Sequence, residues 1–385
     1  MPHLRQRYLA PLLSKDLKWS PAVSVLGMRQ VGKTTLLRQI GATYLTLDDE
    51  PLRNRLETGD WSILESGDRP VIIDEAQKLP GIFDRVKLLV DRAPRPGQFV
   101  LTGSVRFLSK ADIRESLTGR TSILELLPLS LRETHSEPLS QFVSEIHRSK
   151  PVRPVAESRV RQYLDHGGMP GICFKRDRAV RRQMHDAHLE TLLLRDLQML
   201  VRTRVPYLKL RSLLQQLAQT QGTPISFRDL ARRVQISTPT AIQLVSAFVD
   251  LFLIKPHGKS FYLTDCGIAS HLGASKIENP LFQMERWVYS ELLAQLMYRH
   301  RGAFHFYPFS TRGGALVPFV VEIEGHPPLA IVVDASGGAS EKSLKSLTAL
   351  QRTRKGPIKC VVLHSGKTSY ESSSGVSCIP YHWIA

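Results

Sequence analysis

Gly27-Met28-Arg29-Gln30-Val31-Gly32-Lys33-Thr34-Thr35 is the stretch whose reading decides the fold. It fits the spacing G-x-x-x-x-G-K-[ST], and its flanks are those the motif requires. The apolar run Ala22–Leu26 precedes it, and Thr34–Ile40 reads as a helix behind it. Glycine lets a backbone approach phosphate oxygens, and successive N–H groups at a helix start form a nest for anions. Lys33 is then placed to reach the β- and γ-phosphates, and Thr34 to offer a hydroxyl to Mg²⁺. Gly27, Arg29, Gln30, Val31, Gly32, Lys33, Thr34 and Thr35 are the candidate nucleotide-binding residues, with ATP and Mg²⁺ as the expected ligands. The competing reading is a chance glycine turn before a helix, and the context on both sides weighs against it.

Working outward, Val71-Ile72-Ile73-Asp74-Glu75 is an apolar strand ending in two carboxylates. In that position Asp74 is expected to hold Mg²⁺ through water, and Glu75 to orient the attacking water. Phe99–Leu101 is the next buried strand, and it runs into Thr102-Gly103-Ser104. Thr102 and Ser104 both qualify to sense the γ-phosphate, and an ordinary strand-to-turn junction explains them equally well. Arg120 is a candidate γ-phosphate arginine, acting in cis or offered to a neighbouring subunit; a solvated loop arginine is the plainer reading. Asp48 and Asp49 either contact the nucleotide or cap a helix, and the cap is the plainer reading. Short apolar runs at 22–26, 44–47, 71–73 and 99–101 alternate with helical stretches such as 80–90. That alternation predicts an α/β fold with a parallel sheet.

The whole chain has 385 residues, enough for two to three domains with real cores. Apolar residues make up 42% and charged residues 23%, which excludes disordered and low-complexity classes. Fifty-two Lys and Arg against 35 Asp and Glu leave a net charge of +17, which favours polyanionic partners. Cys173, Cys266, Cys360 and Cys378 show no C-x-x-C spacing, so zinc and thioredoxin readings lack support. Charges at Lys15, Asp16 and Lys18 interrupt the amino-terminal apolar residues, and no uncharged apolar run reaches 18 residues. A cytoplasmic protein without a membrane segment is the expectation.

The composition turns to Ser, Pro and Glu between 128 and 154, which suggests a module boundary. From 159 to 255 the pattern is helical. Ser226–Ser237 followed by Thr238–Phe248 reads as helix–turn–helix, with 251–254 and 261–263 as the strands of a wing. Its second helix offers mostly neutral residues (Thr238, Pro239, Thr240, Gln243, Ser246), so groove reading and a structural lid are both open. Basic residues lie instead at Arg228, Arg232, Arg233 and in the run Lys175–Arg182, as a phosphate-tracking surface for double-stranded DNA or a solvated helix face. Beyond 256, a helix at 285–298 and strands at 304–309, 316–323, 329–333 and 358–363 are expected, with a loop at 371–376. The domain expectation is 1–150, 151–272 and 273–385.

The sequence resembles bacterial and archaeal ATPases that join an AAA-type P-loop core to a carboxy-terminal domain of unknown function, DUF4143. The resemblance is carried by Gly27–Thr35, Ile72-Ile-Asp-Glu-Ala-Gln77, Leu101-Thr-Gly-Ser104, Gly119-Arg120 and Leu127-Pro-Leu-Ser-Leu-Arg-Glu133. It continues through Gly167-Gly-Met-Pro170, Leu194-Arg-Asp196, Phe261-Tyr-Leu-Thr-Asp265 and Glu285. It implies an ATPase core, a helical and winged-helix middle module, and a carboxy-terminal domain resembling restriction endonucleases. The nuclease set that the resemblance implies is broken: Pro318 stands for its aspartate, Val332 for its glutamate and Asp334 for its lysine, and only Glu285 remains. The reading is a Mg²⁺-ATP hydrolase in which Glu75, Lys33 and Arg120 are catalytic candidates, Ser104 joins the nucleotide set, and Thr34 and Asp74 hold the metal. Its expected output is conformational change acting on DNA or a protein partner, with subunit association as an option. The alternative is a nucleotide-gated DNA-binding or defence-type switch with little turnover; nuclease activity is not expected.

Overall fold

The computed structural model describes residues 4–385 apart from 41–42, 108–110, 151, 153 and 274–279. The chain forms two compact units that interleave along the sequence. One comprises Met1–Pro128, His188–Arg204 and Gln243–Leu253; the other comprises Leu129–Ala187, Val205–Ile242 and Ile254–Ala385.

The first unit is built on five parallel strands: β1 (Ala22–Leu26), β2 (Tyr44–Thr46), β3 (Val71–Asp74), β4 (Phe99–Gly103) and β5 (Thr121–Glu125). Their order is β2-β3-β4-β1-β5. Every residue of β1, β3 and β4 is buried, the continuous apolar character of strands covered on both faces. Because all five run the same way, the ends of β1, β3 and β4 share one edge, where ligands bind in open α/β sheets. Strand β5 was not read from the sequence. Thr-Ser-Ile-Leu-Glu carries only two apolar residues, and it lies at the sheet edge with Ile123 half exposed. The helix behind the loop covers Lys33–Leu37 and tightens into a 3₁₀ turn at Arg38–Ile40.

The second unit holds a mixed sheet with a helix on each face. Strands β6 (Ile254–His257) and β7 (Ser260–Leu263) form an antiparallel hairpin. Strands β8 (Phe304–Ser310), β9 (Leu316–Ile323), β10 (Leu329–Asp334), β11 (Lys359–His364), β12 (Tyr370–Glu371) and β13 (Ser377–Pro380) form the sheet β12-β13-β11-β10-β9-β8. The helix Pro280–Arg299 packs Trp287, Val288, Leu292 and Leu296 into a core with Phe319, Val321, Ile331 and Val333. The helix Glu341–Thr353 sends Leu347 and Leu350 against the opposite-facing Val320, Ala330, Val332 and Val362. Alternation along β9 and β10 thus feeds two cores. The expected 371–376 loop is shortened, since Glu371 pairs with Ser377.

Helices Tyr207–Gln219, Phe227–Val234 and Thr238–Asp250 precede the hairpin, the last of them running from the second unit into the first. Ser226 and Ser237 cap the second and third by accepting from Asp229 N and Thr240 N at 3.2 Å. The expected strand at 251–254 begins only at Ile254. Leu251–Leu253 instead closes the helix: Phe252 turns left-handed (φ 60°) and Leu253 N returns to Phe248 O at 3.0 Å. Two sequence motifs 97 residues apart meet in the second unit. Asp265 accepts from Gly168 N at 2.7 Å, and a methyl on Gly168 would sit 2.0 Å from the Leu129 carbonyl.

Glu291, fully buried on helix Pro280–Arg299, accepts from Leu131 N at 3.3 Å, and burial pushes its carboxyl up to about 7. The folded state therefore holds this proton more tightly than the unfolded chain. The associated stability is complete below the unfolded pKa and is lost as pH rises through about 7. Glu291→Gln keeps the acceptor without the charge. It should raise Tm at pH 8, by on the order of 2 kcal/mol in stability, and change it little at pH 5. An equal shift at both values would remove burial of the charge as the cause.

Candidate nucleotide site

The loop after β1 is shaped by backbone constraints first. Gly32 turns left-handed (φ 102°) and starts the helix, with Leu36 N returning to Gly32 O at 3.0 Å. A side chain at Gly27 would place its Cβ 2.5 Å from the Leu126 carbonyl oxygen. Val31 and Met28 are buried and anchor the loop from inside. The buried Arg7 guanidinium braces it further, donating to Val31 O at 2.8 Å and to Leu127 O. Arg7 lies 20 residues before the motif and carries no pattern that marks it.

Lys33 is buried and donates from Nζ to Gly27 O at 2.8 Å and Met28 O at 3.0 Å. Burial lowers its pKa to about 8, against the opposing pull of Glu75 and Asp74. Thr34 Oγ1 donates to Asp74 Oδ2 at 3.0 Å, so a hydroxyl and a carboxylate face each other across the end of β1 and the end of β3. These two hard oxygen donors suit Mg²⁺. Tyr44, on β2, donates to the same Oδ2, and burial followed by that hydrogen bond raises its phenol above the usual range. Tyr44 is a site residue the sequence reading missed; its place is set by the register Tyr44 opposite Ile72. Thr35 is exposed on the helix, and Arg29 and Gln30 stand at the crest of the loop.

Glu75 follows Asp74 in a left-handed conformation (φ 55°, ψ 43°), uncommon for a residue with a side chain and often retained at functional sites. Its backbone N–H donates to Asp74 Oδ1 at 3.1 Å. Its carboxylate accepts from Ser104 Oγ at 3.2 Å and from Gln77 Nε2. Gln77 also reaches Ser104 Oγ at 3.4 Å. Of the two hydroxyls left open by the sequence, Ser104 joins this group, whereas Thr102 is buried in β4 opposite Val25 with its Oγ1 unpartnered among the described residues. Gly103 leaves room for Gln77: a Cβ there would lie 2.5 Å from Gln77 Oε1. Asp49 accepts from Leu52 N at 3.5 Å as the cap of helix Glu50–Glu57, and Asp48 pairs with Lys78.

Arg120 stands apart. It immediately precedes β5, its carbonyl accepts from Ala22 N at the start of β1, and its guanidinium grips Asp91 at 2.6 and 2.9 Å. Since β1 and β5 run parallel, Arg120 lies at the opposite edge of the sheet from the loop. Action in cis, one of its two expected roles, is therefore corrected: the five-residue strand β1 separates it from the phosphate loop.

Residues 20–135 match the family model described as an AAA domain, and this stretch holds the parallel sheet and the phosphate loop. Residues 157–279 match a domain of unknown function, DUF8612; this stretch covers the expected helical and winged-helix middle module, not the carboxy-terminal stretch 273–385 expected to be of DUF4143 type. Two proteins described as uncharacterized, from Mycobacterium bovis and Mycobacterium tuberculosis, are each 26% identical, spanning 98% of this chain and 84% of their own. The Walker-type ATPase of Pyrococcus abyssi aligns at 16% identity with a TM-score of 0.43, covering 68% of this chain and 94% of that one. No described helix is long and apolar enough to cross a membrane.

Gly27→Ala should destabilise the unit by about 2–4 kcal/mol, because the obstructing atom is backbone. A lower Tm together with weakened binding of a fluorescent ATP analogue is the expected result. An unchanged Tm would show that the loop opens at this point.

Proposed function

We propose that this protein is a Mg²⁺-dependent ATP hydrolase that converts the state of its nucleotide into movement of the helical segments attached to the core. The observation that carries the reading is the convergence of Lys33, Thr34, Asp74, Glu75 and Ser104 on one sheet edge. Lys33 would contact the β- and γ-phosphates, and Thr34 and Asp74 would hold Mg²⁺, which supplies charge neutralisation for the transferring phosphoryl group. Glu75 would orient the attacking water, and Ser104 would report the γ-phosphate by exchanging its bond to Glu75.

The route outward is short. Two residues beyond Ser104, Arg106 N donates to Asp250 O at 2.8 Å, and the Arg106 guanidinium lies 5.0 Å over the Phe252 ring. Those partners close the helix Thr238–Asp250, whose first residues belong to the second unit. DNA is the favoured macromolecular partner: in the second unit Lys175, Arg176, Arg178, Arg182, Arg228, Arg232 and Arg233 are exposed. Arg181 of the same run is instead buried, holding Lys175 O, Arg176 O and Asp165.

One observation favours a slow nucleotide-gated switch as the second reading. The Glu75 carboxylate is already engaged by Gln77 and Ser104, so it must be released before it can orient water. Nuclease chemistry finds no support. Hydrogen bonds from Ser336, Ser340 and Ser343 outweigh burial and hold the Asp334 carboxyl well below its usual range, while Val332 faces the core.

Steady-state ATP hydrolysis, with and without double-stranded DNA, tests the reading. Lys33→Ala and Glu75→Gln should each lower turnover by about a hundredfold or more, and DNA should raise the wild-type rate. Turnover at background with nucleotide tightly retained would instead establish the switch.

A further inference from the structure

The crest of the phosphate loop is held by side chains that come from far along the chain. Arg29 Nη1 lies 3.4 Å from Asp196 Oδ1, and Gln30 Oε1 lies 3.0 Å from His188 Nδ1. Both partners belong to the segment His188–Arg204, which the contacts assign to the first unit. Asp196 ends a π-helical turn, Leu192–Asp196, placed between the helices Arg178–Thr191 and Leu197–Leu200. Such turns cost hydrogen-bond geometry and cluster at functional sites. This one directs Leu192, Leu193 and Asp196 inward while leaving Leu194 and Arg195 exposed.

The chemistry of the pair is unusual for a merely structural contact. Asp196 is 1% exposed, and its Oδ2 has no hydrogen-bond partner among the described residues. Burial raises its pKa, and Glu75, Lys33 and Arg29 all act on it electrostatically. A buried carboxylate with one long contact is a poor source of stability, because desolvation offsets the attraction. Arg29 is 23% exposed and has five donors, of which Asp196 engages one, so the guanidinium can hold Asp196 and still donate to a phosphate. His188 is buried as well, and burial, reinforced by Arg29, lowers its pKa to about 4. Its bond to Gln30 secures a residue held in the left-handed region (φ 61°).

We propose that Asp196 is a positioning residue of the nucleotide site: it fixes the Arg29 guanidinium against the terminal phosphates, and with His188 it makes residues 188–196 a clamp on the crest of the loop. The inference rests on the ATP-site reading above and adds the far segment to it. Linkage is reciprocal, so a phosphate that engages Arg29 also steadies the clamp. His188 lies on helix Arg178–Thr191, whose earlier residues belong to the second unit, so the clamp gives the triphosphate a second covalent route out of the core.

The test uses the full-length protein, fluorescent analogues of ATP and ADP, and the variants Arg29→Ala, Asp196→Asn, Asp196→Glu and the Arg29→Ala/Asp196→Asn pair. Arg29→Ala should weaken ATP binding about tenfold and ADP binding much less. Asp196→Asn should weaken ATP binding about threefold in the wild type and not at all beside Arg29→Ala, since the two residues act as one unit. Asp196→Glu should restore part of the loss. Hydrogen exchange across 188–200 should slow when ATP binds, and the slowing should vanish in Arg29→Ala. Additive effects of the two substitutions, equal losses for ATP and ADP, or tighter ATP binding by Asp196→Asn would overturn the clamp while leaving the site intact. Wild-type protein that binds no nucleotide, or binds it as well after Lys33→Ala, would overturn the ATP-site reading itself.

Discussion

The carboxylate of Asp74 is the point on which the nucleotide site depends. Its Oδ2 accepts from Thr34 and Tyr44, and its Oδ1 accepts from the N–H of Glu75. One buried side chain therefore ties the loop after β1, the strand β2 and the turn after β3. The third bond matters most for chemistry, because it stabilises the left-handed turn that points Glu75 toward Ser104. A hydrogen bond to an ionised acceptor is stronger than one between neutral groups. That strength offsets the strain of a left-handed glutamate, which costs on the order of 1 kcal/mol or more. The parallel sheet makes this convergence possible, since only strands with one direction present their carboxyl ends at a common edge.

Burial on both faces made several strands of the first unit legible in the sequence. Runs such as Val71–Ile73 and Phe99–Leu101 are buried on both faces, so their apolar character alone identifies them. The edge strand Thr121–Glu125 is buried at alternate positions only and lacks that mark. At the site, residues bound by local spacing were readable: Lys33 and Thr34 within one loop, Asp74 and Glu75 at one strand end. Arg7, Tyr44, His188 and Asp196 act on the same loop but are placed by tertiary packing, and no local spacing encodes it. Gln77 is intermediate: it lies two residues after Glu75, and the missing side chain of Gly103 gives it room. Arg120 shows the converse for one of its two expected roles, action in cis. A position in the sequence after a strand says nothing about which edge of the sheet it reaches until strand direction and order are known.

In the second unit Pro318 and Asp334 serve the fold. Pro318 lies beside the irregular pairing between β8 and β9, where a missing N–H costs no ladder bond, and its carbonyl receives His257 Nε2 at 2.8 Å. Asp334 terminates β10 by accepting from Ser336 and from the backbone and side chains that begin helix Glu341–Thr353. Its charge is spent on four local donors and leaves no free oxygen pair to share with a cation. Among the described residues no group of three or more acidic, His or Cys side chains is arranged to hold a metal.

Charge is distributed unevenly between the two units. Around the phosphate loop, Lys33 and Arg29 are set against Asp74, Glu75 and Asp196, so the pocket carries no surplus of positive charge. The net charge of +17 therefore cannot be ascribed to ATP. Exposed arginines and lysines between 175 and 182 and between 228 and 233 supply part of it from the second unit, where solvent screens each charge individually. Such residues gain most from a ligand that offers many phosphates at once, because each contact releases a counterion. By sequence the first unit carries 22 Lys and Arg against 18 Asp and Glu, and the second 30 against 17, so most of the +17 belongs to the second unit.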